Sequence, residues 1–213
     1  MEPRQPVPVF PLPNVVLFPH AVVPLHVFEL RYRTMVRDAL SGERLIALAL
    51  LKPGWERDYH GSPGFHELAC LARFEEVEWL PDDCYDLKIL GLSRVRLGAP
   101  VREYPYRAVR AAMLPEEPYS EDDAVVKSER HALLDLYRRL TGPPERATEA
   151  GGPGDDLPFV ALVNGVCMAV PLEAEERLAL LALDSVLERG HRVCELAARR
   201  VRPGGPAGPG EHN

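Results

Sequence analysis

Apolar positions in the first 115 residues come in short runs cut by prolines and turn residues. Runs at 7–10, 15–18 and 22–28 open the chain, and LIALALL at 45–51 is uninterrupted. Apolar runs of this length between turn signals read as buried strands. HELACLARFEEVEW alternates at its end, with Phe74, Val77 and Trp79 apolar and Glu75, Glu76 and Glu78 acidic. LPDD at 80–83 supplies a turn, CYDLKILG and SRVRL continue as strands, and YRAVRAAML at 106–114 is the last strand. One helix interrupts them near 29–40, where Tyr32, Met35, Val36 and Leu40 recur at helical spacing and Gly42 stops the run. Many short strands joined by tight turns predict a mainly antiparallel, strongly curved sheet.

Beyond residue 115 the period changes to that of a helix. Ser120 and Asp123 form a relative of the capping box, and Val126, Leu133, Tyr137 and Leu140 then share one face up to Gly142-Pro143-Pro144. Residues 142–156 read as a polar loop, after which Asp155 or Asp156 caps a helix over 158–169 that Pro171 ends. That helix is apolar on several sides and is expected to be buried on most of them. Two more helices follow near 173–183 and 185–201, with Asp184 as the cap between them, and the tail is too polar to pack. The chain thus divides into a β part at 1–115, a helical bundle at 116–202 and a disordered tail at 203–213. Phe10, Leu17, Val27, Ile46, Leu48 and Leu90 are the expected β core. Phe159, Leu162, Val166 and Leu180 are the expected helical core.

Charge narrows the function. Residues 1–115 carry 14 basic and 14 acidic side chains, and the remainder carries 11 basic against 18 acidic. Neither part has the basic excess that phosphate-driven nucleic-acid binding needs. No run of 18 apolar residues occurs, which argues against a membrane span, and the prolines of the first 19 residues argue against a signal peptide. Cys70, Cys84, Cys167 and Cys194 lack disulfide-framework spacing, which points to a reduced, cytoplasmic setting.

Chemistry is sparse. No Gly-Lys pair exists to start a phosphate loop and no G-x-S-x-G elbow is present, so no catalytic residue and no cofactor are assigned. DYHGSPGFHELAC offers Asp58, His60, His66, Glu67 and Cys70, with Cys84 across a hairpin, but the spacing fits no standard zinc site and no metal is assigned. His26 and Glu29 read as structural, with Glu29 opening the helix at 29–40 near its dipole. The long loop at 52–65 is the best binding candidate. Its Trp55, Tyr59 and Phe65 offer large apolar faces among glycines and prolines.

Residues 8–37 carry a specific pattern: Phe10-Pro11-Leu12, then Phe18-Pro19, then Pro24-Leu25-His26-Val27-Phe28-Glu29 and Arg31-Tyr32-Arg33. This resembles the N-terminal substrate-binding domain of the Lon protease family, and Tyr85-Asp86-Leu87, Gly91-Leu92-Ser93-Arg94 and Tyr104-Pro105-Tyr106-Arg107 extend the likeness. His20 and Asp83 stand where that family commonly has glycine, and Leu30 where it often has proline. The resemblance implies a PUA-like β pseudobarrel followed by a helical bundle, in a freestanding bacterial module without the ATPase and peptidase parts of full-length Lon. It also implies binding of polypeptide clients, such as unfolded or damaged proteins, or of a protease or chaperone partner. RNA binding is the alternative, because PUA-like folds elsewhere bind RNA and Arg31, Arg33 and Arg37 can form a local patch. The signature residues are expected to be mainly structural, with the apolar ones at 24–33 alternating into the core.

Overall fold

A computed structural model describes residues 6–59, 61–141 and 157–200, together with Pro3. The expected loop at 142–156, the caps at Asp155 and Asp156, the tail at 203–213 and His60 lie outside the described residues.

Among the described residues six strands and five α-helices are formed in the order β1 (Val7–Leu12), β2 (Val22–Val27), α1 (Leu30–Leu40), β3 (Leu45–Leu51), β4 (Phe65–Trp79), β5 (Tyr85–Arg102), β6 (Ala108–Met113), α2 (Ala124–Thr141), α3 (Phe159–Ala169), α4 (Ala174–Leu181) and α5 (Val186–Arg200). The strands lie in the order β2, β5, β4, β3, β1, β6, and β6 also pairs with β5. Five strands therefore close into a ring, to which β2 is added. The length of β5 makes this possible: Tyr85 to Leu90 face β2, and Val95 to Arg102 face β6 along the same edge.

One pairing departs from the expected antiparallel sheet. β1 and β3 run parallel, with Phe10 opposite Leu48, because β2 and α1 carry the chain back between them. β3 is buried on both faces, which explains its unbroken apolar run. Ile46 and Leu48 pack against Met35 and Val36 of α1, whereas Ala47 and Ala49 join Val9, Leu71 and Val95 in a separate cluster.

A third cluster is helical and takes in Leu50 of β3 together with Val16 and Phe18 from the segment between β1 and β2. α3 lies at its centre, as its all-round apolar sequence predicts, and Phe159, Leu162, Val166 and Leu180 are buried. The segment at 15–18 is not a strand. It is a buried loop whose Leu17 enters the α1 cluster while Phe18 enters the helical one.

Several local expectations need correction. Leu90 is only half-buried, because Tyr85, Leu87 and Ile89 take the inward positions of β5 and leave the even ones outside. α2 starts at Ala124, where the Asp123 carboxylate accepts the Val125 N–H at 2.7 Å. Ser185, not Asp184, caps α5, with its hydroxyl accepting the Glu188 N–H at 3.4 Å.

Candidate functional site

β2 is an edge strand. Gly91 N–H donates to the Ala21 carbonyl, which makes Val22 and Leu90 a non-hydrogen-bonded pair and turns the backbone groups of Val22, Pro24 and His26 away from β5. Pro24, which has no N–H, therefore occupies a position where none is needed by the sheet. The side chains of Val23, Leu25 and Val27 turn inward, and His26 bonds across to Asp86 at 2.7 Å.

Alternation stops at Val27. Phe28 is 59% exposed and Leu30 is 68% exposed, so these two signature-segment residues do not enter the core as expected. The strand ends, the chain turns into α1, and the first helical position faces out. Glu29 sits at the N-cap of α1 but its side chain makes no capping bond. Its carboxylate instead accepts the Tyr59 hydroxyl at 2.9 Å and Arg31 Nε at 3.0 Å. Arg31 also donates to the carbonyls of Gly61 at 2.7 Å and Tyr59 at 2.8 Å. The start of α1 thus holds the candidate loop in place by side-chain bonds that sequence spacing could not reveal. Burial raises the Tyr59 hydroxyl pKa, and its bond to Glu29 raises it further. Burial pushes the neighbouring Tyr32 up to about 12, and its ring packs on Phe10 with centroids 4.6 Å apart.

The loop itself forms one short 3-10 turn, Trp55–Asp58. The Trp55 and Tyr59 rings meet edge to face at 5.4 Å and both are half-buried. Phe65 is not with them. It opens β4, and the Arg107 guanidinium lies 4.3 Å over its ring. Between the loop, α1 and the start of β6 lies a cavity of about 550 Å³, lined by Pro11, Tyr32, Leu30, Tyr104 and Arg107 among others. Tyr104 is 86% exposed at its mouth. A smaller hollow lined by Phe28, Glu29 and Tyr59 shares Pro11, Arg31 and Tyr32 with it. Trp79, also 68% exposed, stands apart at the β4–β5 turn, where its indole N–H donates to Asp83 at 3.2 Å. Leu30, Tyr104 and Arg107 carried no local signal that they would line one hollow, since only the fold brings α1 beside the start of β6.

The other candidates separate. Arg33 donates to the Asp83 carbonyl at 3.1 Å and its carboxylate at 2.7 Å, and Arg37 lies 3.5 Å from the same carboxylate. With Arg31 paired to Glu29, the three arginines of the RNA alternative share two carboxylates, Glu29 and Asp83, and form no strongly basic patch. His66 pairs with Glu175 of α4 at 3.2 Å, and Cys70 is fully buried, where desolvation raises its thiol to about 12. No group of three His, Cys, Asp or Glu that could hold a metal occurs among the described residues. No helix among them is long and apolar enough to cross a membrane.

This architecture has solved counterparts. A Lon N-terminal domain protein from Xanthomonas campestris superposes with a TM-score of 0.64 at 23% identity, covering 90% of this chain and 98% of that one. The N-terminal domain of a Mycobacterium avium complex Lon protease superposes with a TM-score of 0.68 at 16% identity, covering 92% of this chain and all of that one. At these identities the likeness is one of fold. In sequence, the Lon protease of Flavobacterium johnsoniae is 25% identical over 186 residues, and Lon protease 2 of Herpetosiphon aurantiacus is 27% identical over 198. Those matches take in 85% and 91% of this chain but only 22% and 24% of the relatives, so the chain spans about a quarter of their length. The family model of the ATP-dependent protease La (Lon) substrate-binding domain matches residues 6–199. It takes in the edge strand β2, the junction into α1 and all five helices, and the chain belongs to that family.

Proposed function

We propose that this chain is a non-enzymatic module that holds polypeptide segments, such as those exposed by unfolded or damaged proteins, on the surface around the start of α1. The observation that carries the reading is the exposure of Phe28, Leu30 and Tyr104 around two adjoining hollows. Single apolar side chains on a surface are ordinary, but a cluster of large ones beside a cavity marks a contact surface. Tyr59 lines the smaller hollow, and Trp55 extends the same loop's aromatic surface by its edge-to-face contact with Tyr59. Phe65 contributes from beneath, as the platform for Arg107. The client is a free polypeptide or one delivered with a protease or chaperone partner, and membership of the Lon family supports a cytoplasmic setting. The closure of β5 on both β4 and β6 supports reading the ring as the PUA-like pseudobarrel, with 1–115 and 116–202 as its β and helical parts.

Binding of a labelled, reduced and carboxymethylated protein to the chain tests this reading. Phe28→Ser, Leu30→Ser and Tyr104→Ala together should weaken binding about tenfold or more, at about 1.4 kcal/mol per decade, with an unchanged circular dichroism spectrum. Affinity should vary little between low and high salt, whereas an RNA ligand would lose affinity steeply. Equal binding by the triple variant would place the client elsewhere.

A further inference from the structure

We infer that Arg107 is a receptor for a carboxylate carried by the bound polypeptide, either its C-terminus or an Asp or Glu side chain beside apolar residues. The inference takes the class of ligand from the polypeptide-binding reading above. Its chemistry comes from Arg107 itself.

The backbone of Arg107 is fixed where β6 begins, because its carbonyl accepts the Val9 N–H at 2.8 Å. Seven arginines among the described residues are not exposed. Six of them, Arg31, Arg33, Arg94, Arg130, Arg177 and Arg189, donate to at least one carbonyl or carboxylate. Arg107 alone makes no side-chain hydrogen bond or ion pair with a described residue, and it has only the Phe65 ring beneath it. Loss of solvent pushes its pKa down and the neighbouring Arg31 acts the same way, while Tyr32, Glu103 and Asp58 act in the opposite direction without forming an ion pair with it. A half-buried cation without a counter-ion is costly unless something supplies one.

The cavity tells what could. Arg107 lines the same hollow of about 550 Å³ as Leu30, Tyr104 and Pro105, with Thr34, Ser62 and Glu103 also on its wall, so an anion reaching it has apolar surface on one side. The other guanidinium in that hollow, Arg31, is already spent on Glu29, Gly61 and Tyr59. One planar fork, its centre 4.3 Å from the Phe65 ring centroid and its N–H groups unused among the described residues, matches a single carboxylate in bidentate geometry. A doubly charged phosphate would ask for a second free cation, which this hollow does not offer among the described residues. An apolar side chain next to the carboxylate would then rest on Leu30 and Tyr104.

The test uses the ¹⁵N-labelled full chain, following the Arg107 Nε–Hε resonance and the dissociation constant. The probes are N-acetyltryptophan and its amide, an apolar decapeptide with a free or amidated C-terminus, and an amidated decapeptide with an internal Asp or Asn. Each acid that uses the site should shift the resonance and bind about tenfold more tightly than its uncharged partner. In Arg107→Gln that preference should fall below about twofold while the affinity for the uncharged partners is kept. Arg107→Lys, which keeps the charge and loses the fork, should reduce the preference by about threefold, and it serves if the glutamine variant folds poorly. Whichever peptide pair shows the preference identifies the source of the carboxylate. No acid preference in the parent chain, or a preference that survives in Arg107→Gln, overturns the inference. If N-acetyltryptophan binds through Arg107 but neither peptide does, the carboxylate site stands and the polypeptide reading fails.

Discussion

The guanidinium of Arg189 in α5 holds both carboxylate oxygens of Glu116, at 2.8 and 3.2 Å, from a side chain with no exposed surface. The equally buried Arg94 of β5 brings its Nε to 3.2 Å from the same carboxylate. Arg94 also donates to the carbonyls of Leu181, Leu183 and Pro115 and to Asp184, and Arg189 donates to Asn164 at 2.8 Å. Asn164 in turn reaches the Pro19 carbonyl at 3.1 Å. One polar network therefore ties the Phe18-Pro19 loop, β5, α3 and the link between α4 and α5 into a single body.

Two buried guanidiniums lean on Glu116, so neutralising it should cost far more than a surface ion pair would. Glu116→Gln is expected to lower the unfolding free energy by about 3–5 kcal/mol, measured by urea titration with tryptophan fluorescence. A loss below about 1 kcal/mol would mean that the carbonyls and Asp184 suffice to solvate both arginines.

Gly91 meets the same loop from the sheet side. Its N–H donates to Ala21 and its carbonyl accepts from His20, and a Cβ placed on it would stand 2.1 Å from the Phe18 carbonyl oxygen. Backbone cannot yield as a flexible side chain can, so Gly91→Ala should cost about 3 kcal/mol or more and separate β2 from β5. His20 and Asp83 both adopt left-handed backbone, at φ 66° and 63°. Glycine suits both conformations, yet the two sites differ. His20 is exposed and makes no side-chain bond among the described residues, so His20→Gly should be neutral or stabilising by up to about 1 kcal/mol. Asp83→Gly would remove the carboxylate that Arg33 and Arg37 share, leaving Arg33 only the backbone carbonyl, and should destabilise the chain. Thermal unfolding of the two variants should therefore move in opposite directions or differ clearly.

These positions also show how far the sequence could be read. The sequence placed α1, α3, α4 and α5 to within a few residues: α1 repeats its apolar positions every three or four residues, and α3 is a run apolar on several sides that Pro171 ends. The apolar run at 45–51 announced a buried strand, but nothing local could say that β3 lies parallel to β1. That pairing depends on where β2 and α1 return the chain. Asp184 looks like a helix cap in sequence, and its carboxylate instead serves Arg94, 90 residues away in the chain. The aromatics of the 52–65 loop were legible as a surface feature. Phe28 and Leu30 were not, since strand alternation extended past Val27 would bury them, and the turn into α1 breaks that parity.

Acid should weaken the helical part first. Burial is the largest single influence on Glu121 and acts to raise its pKa, but the Phe159 N–H, Arg130 and the Tyr119 hydroxyl together hold it below the ordinary carboxylate value. Glu176 is lowered by the N–H of Glu173 in the capping box and by Arg200. A folded-state value below the unfolded one gives stability that is fully present above the unfolded pKa and is lost as pH falls through the folded one. The urea midpoint should stay level from about pH 7 to 5.5 and decline below about pH 4.5. In the double variant Glu121→Gln, Glu176→Gln that decline should be shallower and the neutral-pH midpoint lower. An unchanged acid slope would assign acid unfolding to other carboxylates.

The aromatic pair of Trp55 and Tyr59 allows binding and folding to be separated. Both side chains are half-buried and meet edge to face, and the Tyr59 hydroxyl reaches Glu29 at the start of α1. Tyr59→Phe keeps the ring and removes the bond to Glu29, so it should cost about 1 kcal/mol of stability and leave client affinity within about twofold. Trp55→Ala with Tyr59→Ala removes both apolar faces and should weaken binding of an unfolded client at least about tenfold. Arg31 continues to hold the loop through the backbone carbonyls of residues 59 and 61 in that variant, so the circular dichroism spectrum should be preserved. If the double variant binds as the parent does, the client rests on Phe28, Leu30 and Tyr104 alone. If it unfolds, the pair is an anchor of the fold and belongs to the scaffold that presents the cavity.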